Sequence, residues 1–566
     1  MSHPAVGRVL GTLDAMPLEF WVGVDELHYL QLDDVVEVTT PLPDGSEVRL
    51  YGVVDLVRAR HEGATFDSDV FLVEKGVLPA TVAQSAHVKV TRVEPEIFVP
   101  PRPGQEVRRA VGERRDEALF FDGMERRLPI GLSRDGEPVY ANLDFLDGSR
   151  GAHVNISGIS GVATKTSYAT FLLHSLFRSG ALGGEAPNTH ALVFNVKGED
   201  LLFLDQPNSR LEASAREDYA RLDLPAEAFD SVQVLAPVRP GSRERMPATG
   251  SRQKGVAAFF WTVRELASER LLRFLFAESE DAASQLSFVV DRIEARLSAA
   301  AREVGVATDP WIEIEGRRID SFDALVQALT DRDADADERS VAERWAWPAA
   351  PGTVAAFERR LHAAARHVGH LIRGAEVGAR EDHLLDWRRR QVSVVDIHSL
   401  HDRAKRFVVG AVLKRMFEEK EALGTARPLV FVVLDELNKY APREGSGPIK
   451  EVLLDVSERG RSLGIVLVGA QQTASEVEGR IVANAALRVV GRLDTAEAER
   501  SEYGFLPASA RGRAGILKPG TMIVQQPEIP TPLLVRFPFP AWATRKSEVA
   551  AVPAQADVFE GFRDED

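Results

Sequence analysis

Three kinds of hydrophobic pattern divide this chain. In residues 1–98 short β-branched runs, "AVGRVLGTL", "LEFWVGV", "DVVEVTT", "EVRLYGVVDLVRA" and "AHVKVTRVEP", are separated by turn signals such as "PLPDGS". Five or six such strands in so short a span predict a small all-β barrel. From residue 191 onward, four largely apolar runs appear: "ALVFNV", "QVSVVDI", "PLVFVVL" and "GIVLVGA". Such runs with helices between them predict strands buried on both faces of a parallel sheet, an α/β core. Between the first and second of these runs, "AAFFWTVRELASERLLRFLF" and "ASQLSFVVDRIEARLSAAARE" place apolar residues at three- and four-residue steps, which predicts helices.

The expected organisation is a barrel at 1–98, a linker and first half of the core at 99–245, a helical insertion at 246–385, the second half of the core at 386–545, and a mobile acidic tail at 546–566. The Pro-rich "FVPPRPGQE" reads as the linker, and "RRLPIGLSRDGEPVYANLDFL" as a hairpin turning at Asp135-Gly136. Trp345 and Trp347 read as core residues of the insertion, and "DRDADADERS" as a solvated acidic stretch.

Composition narrows the function classes. The 566 residues suit roughly three or four domains and a sizeable core. No run of eighteen apolar residues occurs, so no membrane span is expected. The N-terminus lacks the plan of a signal peptide, and with zero cysteines there are neither disulfides nor thiolate metal sites; the expectation is a cytoplasmic protein. His28, His61 and His87 show no metal-ligand spacing. A net charge of −16 argues against a protein coated in nucleic acid, but not against a ring whose lining alone is basic.

The candidate chemistry begins at "AHVNISGISGVATKTSYATFL", Ala152 to Leu172. It reads as strand, turn and helix, the plan of a phosphate-binding loop: backbone N–H groups cradle an anion, a lysine reaches the outer phosphates, and the next hydroxyl serves Mg2+. Gly158 lies seven positions before Lys165 and Gly161 four before; Thr164 stands where a glycine is usual, so the loop is one residue longer than the standard spacing. Gly158, Gly161, Thr164, Lys165, Thr166 and Ser167 are the candidate nucleotide contacts. The run "PLVFVVL" ends in Asp435-Glu436. Two acids at a buried strand end need a cation, a water to activate or a basic neighbour. A helix then ends in Glu458-Arg459-Gly460-Arg461, and "GIVLVGA" delivers Gln471-Gln472. The polar set Lys197, Gly198, Glu199 and Asp200 closes another strand, at the end where α/β sheets bind ligands. The Arg388–Arg390 triplet, Lys439 and Arg443 are basic residues to weigh as DNA contacts against ordinary solvated positions.

In order and spacing, these segments resemble the HerA branch of the HerA/FtsK family of ring-shaped DNA-pumping ATPases. "GISGVATKTS" is similar to that family's phosphate loop, "NVKGED" to its acid cluster, "VVLDELNKY" to its acidic strand end, "SERGRSLGI" to the segment carrying a trans-acting arginine, and "GAQQTASEV" to its sensor strand. The resemblance spans nearly the whole chain. It implies a RecA-like P-loop ATPase core, a homohexamer with ATP and Mg2+ between subunits, and double-stranded DNA in the central channel. It also implies a NurA-like nuclease partner in DNA end processing and repair. It carries Lys165 to the phosphates, Thr166 and Asp435 to Mg2+, Glu436 to the catalytic acid–base, Arg461 to the arginine finger with Arg459 as second choice, and Gln471 to the sensor. Alternatives are a nucleotide-binding ring that scaffolds an effector, or a motor for another nuclease, for example in phage defence.

Overall fold

A computed structural model describes residues 4–159, 165–242, 245–276, 285–303, 305, 308–332, 339–374 and 383–549. The chain forms two compact units. The first comprises Met1–Phe145, Ile156–Thr164 and Ala486–Phe537; the second comprises Leu146–Asn155, Lys165–Ala485 and Pro538–Asp566.

The first unit opens with six strands: β1 (Ala5–Val9), β2 (Glu19–Val24), β3 (Val35–Pro41), β4 (Glu47–Glu62), β5 (Thr81–Glu94) and β6 (Glu106–Arg109). They close into an antiparallel barrel in the order β1-β2-β5-β4-β3-β6, with β6 paired to both β3 and β1. Alternation drives it: in β3, Val36, Val38 and Thr40 point inward while their neighbours do not. Val22, Leu50, Val88 and Val107 complete the interior. The barrel therefore runs to Arg109. The Pro-rich stretch, expected to lead out of the barrel, instead connects β5 to its closing strand. A short helix, α1 (Asp69–Glu74), joins β4 to β5, and α2 (Glu113–Ala118) follows β6. The hairpin of β7 (Arg127–Leu132) and β8 (Pro138–Asn142) turns at Asp135-Gly136, as the turn signal predicts.

The second unit holds β9 (Val154–Ser157), which begins there, and the strands β10 (Thr189–Asn195), β11 (Val232–Pro237) and β12 (Val256–Phe259). Helix α3 (Lys165–Arg178) follows β9 in the chain, and helix α4 (Ala213–Arg221) lies between β10 and β11 in sequence. In α3, Tyr168, Phe171, Leu172 and Leu176 form one buried stripe.

The segment expected to be helical is mixed. Its "GVAAFFWT" run supplies β12, an edge strand of the sheet, and then β13 (Trp261–Thr262). A short apolar run carries no period that separates strand from helix, so the run was legible either way. Helices α5 (Val263–Ser268), α6 (Gln285–Glu303), α7 (Phe322–Thr330), α8 (Val341–Ala346) and α9 (Pro351–Val368) follow, with a hairpin of β14 (Ile312–Ile314) and β15 (Arg317–Ile319) and the short β16 (Ile372–Arg373). Trp345 is half-buried, but Trp347 is 66% exposed, with the Arg339 guanidinium 6.0 Å from its ring centre. A place in the core for Trp347 is therefore corrected. Most of "DRDADADERS" lies outside the described residues.

The core resumes with β17 (Val392–Asp396), helix α10 (Asp402–Leu423), β18 (Leu429–Asp435), helix α11 (Pro448–Leu463) and β19 (Ile465–Gln471). The strand order is β12-β11-β17-β10-β18-β19-β9, and the register pairs from β12 to β19 are all parallel. Gly464 ends α11 at φ +69, where an added Cβ would lie 1.8 Å from the Ala426 carbonyl oxygen; only glycine fits this turn into β19. The first unit ends with β20 (Leu487–Val490), β21 (Thr521–Gln525) and β22 (Leu533–Arg536), an antiparallel set in which β22 pairs with β7. The fold is thus α/β with a small antiparallel barrel at the N-terminus.

Candidate active site

The carboxyl ends of β10, β18 and β19 and the first turn of α3 gather the candidate residues of the second unit. Lys165 is the first residue of α3. It is only 5% exposed, and its Nζ donates no hydrogen bond among the described residues. Burial pulls its pKa below the usual lysine value, against the pull of the Asp435 and Glu436 carboxylates. An ammonium so placed lacks the acceptors that burial demands. Oxyanions of a phosphate supply that chemistry.

Thr166 follows, and its Oγ1 donates to Asp435 Oδ2 at 3.0 Å. Residues 269 positions apart are joined here. Asp435 Oδ1 accepts from the Glu436 backbone N–H at 2.8 Å. Glu436 leaves the strand with φ 57 and ψ 40, a left-handed backbone. Such a conformation in a non-glycine residue costs on the order of 1 kcal/mol and concentrates at functional sites. Its carboxylate is buried to 8% exposure. Lys197 Nζ stands 3.6 Å from Oε1 and Lys439 Nζ 3.5 Å from Oε2. Gln472 Nε2 donates to Oε1 at 3.4 Å. Burial would raise the carboxyl pKa, but Lys439, the Gln472 bond, Lys197 and Lys165 together hold it below the ordinary value. It is therefore an anion at neutral pH, able to accept a proton.

Gln471 takes a different direction. It is fully buried at the end of β19, and its Nε2 donates to Asn155 Oδ1 at 2.9 Å across to β9. Neighbouring residues of a strand face opposite ways, so Gln472, not Gln471, is the one beside the carboxylate in this chain. Just before β9, His153 accepts the Leu467 N–H of β19 at Nδ1 (2.9 Å) and donates from Nε2 to the Ser457 carbonyl of α11 (3.1 Å). Burial lowers its pKa to about 4, so the ring is neutral.

The remaining candidates are placed as follows. Ser167 is half-buried, and its carbonyl accepts from Thr170 Oγ1 at 2.9 Å. Gly158 belongs to the first unit, where an added Cβ would stand 3.4 Å from the Arg492 carbonyl oxygen. Gly161 and Thr164 lie outside the described residues. Arg461 is exposed at the end of α11, donating from Nε to the Gly148 carbonyl (3.1 Å) and from Nη2 to that of Ser149 (2.9 Å). Arg459 pairs with Glu421. Neither arginine touches the Lys165–Glu436 cluster of its own chain among the described residues. Glu199 accepts from the Ser251 N–H at 2.9 Å, and Asp200 pairs with Arg545 at 2.8 Å. Arg443 donates to the Ser475 carbonyl, and Arg388 pairs with Asp386 and Glu419. No cluster of metal-ligating side chains of the His, Cys, Asp or Glu type occurs among the described residues. Nor is any of their helices long and apolar enough to cross a membrane.

Lys197 and Gln472 are the contacts that sequence reasoning noted without giving them this role. They lie two and one positions past the end of a core strand, a position signal that a search for single motifs does not weigh.

No family model and no curated protein matches the chain. Solved structures do resemble it. The bacterial conjugative coupling protein TrwB, unbound, is 13% identical over 76% of this chain and 94% of that one, with a TM-score of 0.47. The plasmid coupling protein TrwB in complex with ADP and Mg2+ is 12% identical over 77% and 95%, with a TM-score of 0.46. VirB4 of Thermoanaerobacter pseudethanolicus is 16% identical over 76% and 98%, with a TM-score of 0.42. Each is a likeness with a TM-score under 0.5, and none carries an argument about what this chain does.

Proposed function

We propose that this protein is an ATP hydrolase that drives movement along double-stranded DNA as a ring of six identical subunits. One observation carries the reading: a buried lysine ammonium with no hydrogen-bond acceptor among the described residues stands beside two carboxylates, at the start of a helix. Lys165 would bind the outer phosphates. Thr166 and Asp435, already hydrogen-bonded to each other, would hold Mg2+, which supplies charge neutralisation at the phosphates when bound. Glu436 would take the proton of the attacking water. Phosphoryl transfer leaves little covalent work to the protein, so positioning and charge are what these side chains contribute.

Arg461 sits on the surface, bound to backbone carbonyls away from its own Lys165. That placement suits an arginine serving the nucleotide of a neighbouring copy, the role the HerA-type resemblance assigns it. The absence of cysteines supports a cytoplasmic setting, and the same resemblance supports a NurA-like nuclease partner in DNA end processing and repair.

The test is ATP hydrolysis by the purified protein with Mg2+, with and without duplex DNA. Hydrolysis stimulated by DNA is expected, and Glu436→Gln should lower kcat by about 100-fold or more while nucleotide binding persists. A wild type that hydrolyses nothing, or a Glu436→Gln protein at full rate, would sink the reading.

A further inference from the structure

A second basic feature adjoins the cluster. A cavity of about 450 Å3 opens at the carboxyl ends of β10, β17 and β18. Four cationic side chains line it, Lys197, Lys405, Arg406 and Lys439, against two carboxylates, Glu436 and Asp402. Lys405 is engaged: it donates to the Val196 carbonyl at 3.1 Å and lies 4.0 Å from Asp402. Lys197 and Lys439 rest on Glu436. Arg406 is half-buried and makes no hydrogen bond or ion pair among the described residues. A second hollow, of about 410 Å3, shares Arg406, Lys439 and Tyr440 as its wall. The two hollows thus flank one strip of positive charge that begins at Glu436.

This arrangement has a chemical consequence. Glu436 can take a proton from water only if its oxygens are available, and two ammonium groups and an amide now occupy them. Both lysine tails are more than half exposed, so they are free to swing toward a second anion. A backbone phosphodiester brings a full negative charge and two acceptor oxygens of its own, whereas at Glu436 the two lysines share one charge. Arg406 adds a planar, permanently charged fork that suits phosphate and makes no hydrogen bond or ion pair among the described residues.

We propose that this cavity takes a backbone phosphate of DNA, held by Arg406, Lys197 and Lys439, and that its arrival draws the two lysines away from Glu436. DNA in the cavity then releases the carboxylate that activates water, so hydrolysis waits for the track to be in place. The inference rests on the reading of Lys165 and Glu436 as a hydrolytic site, and goes beyond it by assigning a DNA contact and a route by which DNA raises the rate.

The experiment compares wild type with Lys197→Met/Lys439→Met in the full-length protein, measuring ATP hydrolysis with and without duplex DNA, and binding of fluorescent duplex DNA across salt concentrations. Wild type should be stimulated by DNA. The double variant should hydrolyse several-fold faster than wild type without DNA, lose further stimulation by DNA, and show a shallower salt dependence of DNA binding. Arg406→Ala should weaken DNA binding alongside it. Both lysines are exposed, so folding is expected to hold, and matching melting temperatures check it. Stimulation in the double variant equal to that of wild type overturns the proposal alone. A raised KM for ATP with DNA stimulation intact also overturns it, because the phosphate would then be the nucleotide's own. A wild type that ignores DNA overturns the motor reading itself, and this inference with it.

Discussion

Helices α3 and α11 each bury a lysine in their first turn, and the two lysines live in opposite circumstances. Lys450 of α11, 8% exposed, donates to the carbonyls of Arg443 (3.1 Å) and Gly445 (2.9 Å) and pairs with Glu478 at 2.7 Å. Lys165 of α3, 5% exposed, donates to nothing among the described residues. Burial costs the two ammonium groups similarly, but among the described residues only Lys450 is compensated. A satisfied buried cation holds a structure together. An unsatisfied one is retained at a cost to stability, and its compensation must come from a ligand. The contrast separates a structural lysine from one proposed to serve a ligand, without recourse to any motif.

The largest effect expected from that contrast is on activity. Lys165→Met should lower ATP hydrolysis by about 100-fold or more, since the charge facing the phosphates is lost. The same variant, free of nucleotide, should melt at or above the wild-type temperature, because a buried charge without a hydrogen-bond partner is removed. Mg-ATP should then raise the melting temperature of wild type but not of the variant. If Lys165→Met instead melts several degrees lower, the two lysines are alike and the comparison fails. The next effect is on stability: Lys450→Met should cost about 2 kcal/mol, because Glu478 and two loop carbonyls lose their partner. Chemical denaturation measures it, and an unchanged midpoint would show that the three bonds contribute nothing.

The smallest effect concerns pH. His153 has a pKa of about 4 in the folded chain, below its ordinary 6.5. The unfolded chain therefore binds a proton first, and the stability present above pH 6.5 is lost as pH falls from there toward 4. Between pH 6.5 and 5 the loss from this one group is about 1.5 kcal/mol. His174, also lowered to about 4 by burial, adds to the same slope. Melting temperature against pH should be flatter for His153→Gln than for wild type over that window. Parallel curves would mean that the imidazole is not held neutral.

Much of this was readable in the sequence, and the rest was hidden for identifiable reasons. The barrel showed in the alternation of β3, and the core strands in their largely apolar runs. Lys165, Thr166, Asp435 and Glu436 stood at strand and helix ends where chemistry is expected, and the fold joins Thr166 to Asp435 across 269 positions. The adjacent pair Gln471-Gln472 could not be resolved, because the choice depends on which face of β19 each side chain takes, and a strand end fixes that only once it is paired. The reach of Lys197 to Glu436 depends on β10 lying directly beside β18, a neighbour relation that no local pattern encodes. Trp347 shows the converse limit: a large aromatic residue states what it would gain from burial, not whether it is buried.

The two hydrogen bonds of His153 have a mechanical meaning. One imidazole spans the strand that leads into the candidate phosphate loop, the strand that ends in the glutamines, and the helix whose last turn bears Arg461. A neutral ring has one lone pair and one N–H, and both are spent, so it has no spare contact with which to follow a shifted neighbour. Sliding the helix by one ångström must therefore either drag the strand along or snap a bond inside a dry interior. The helix that bears Arg461 and the stretch of chain that enters β9 are pinned like two leaves on a single rivet.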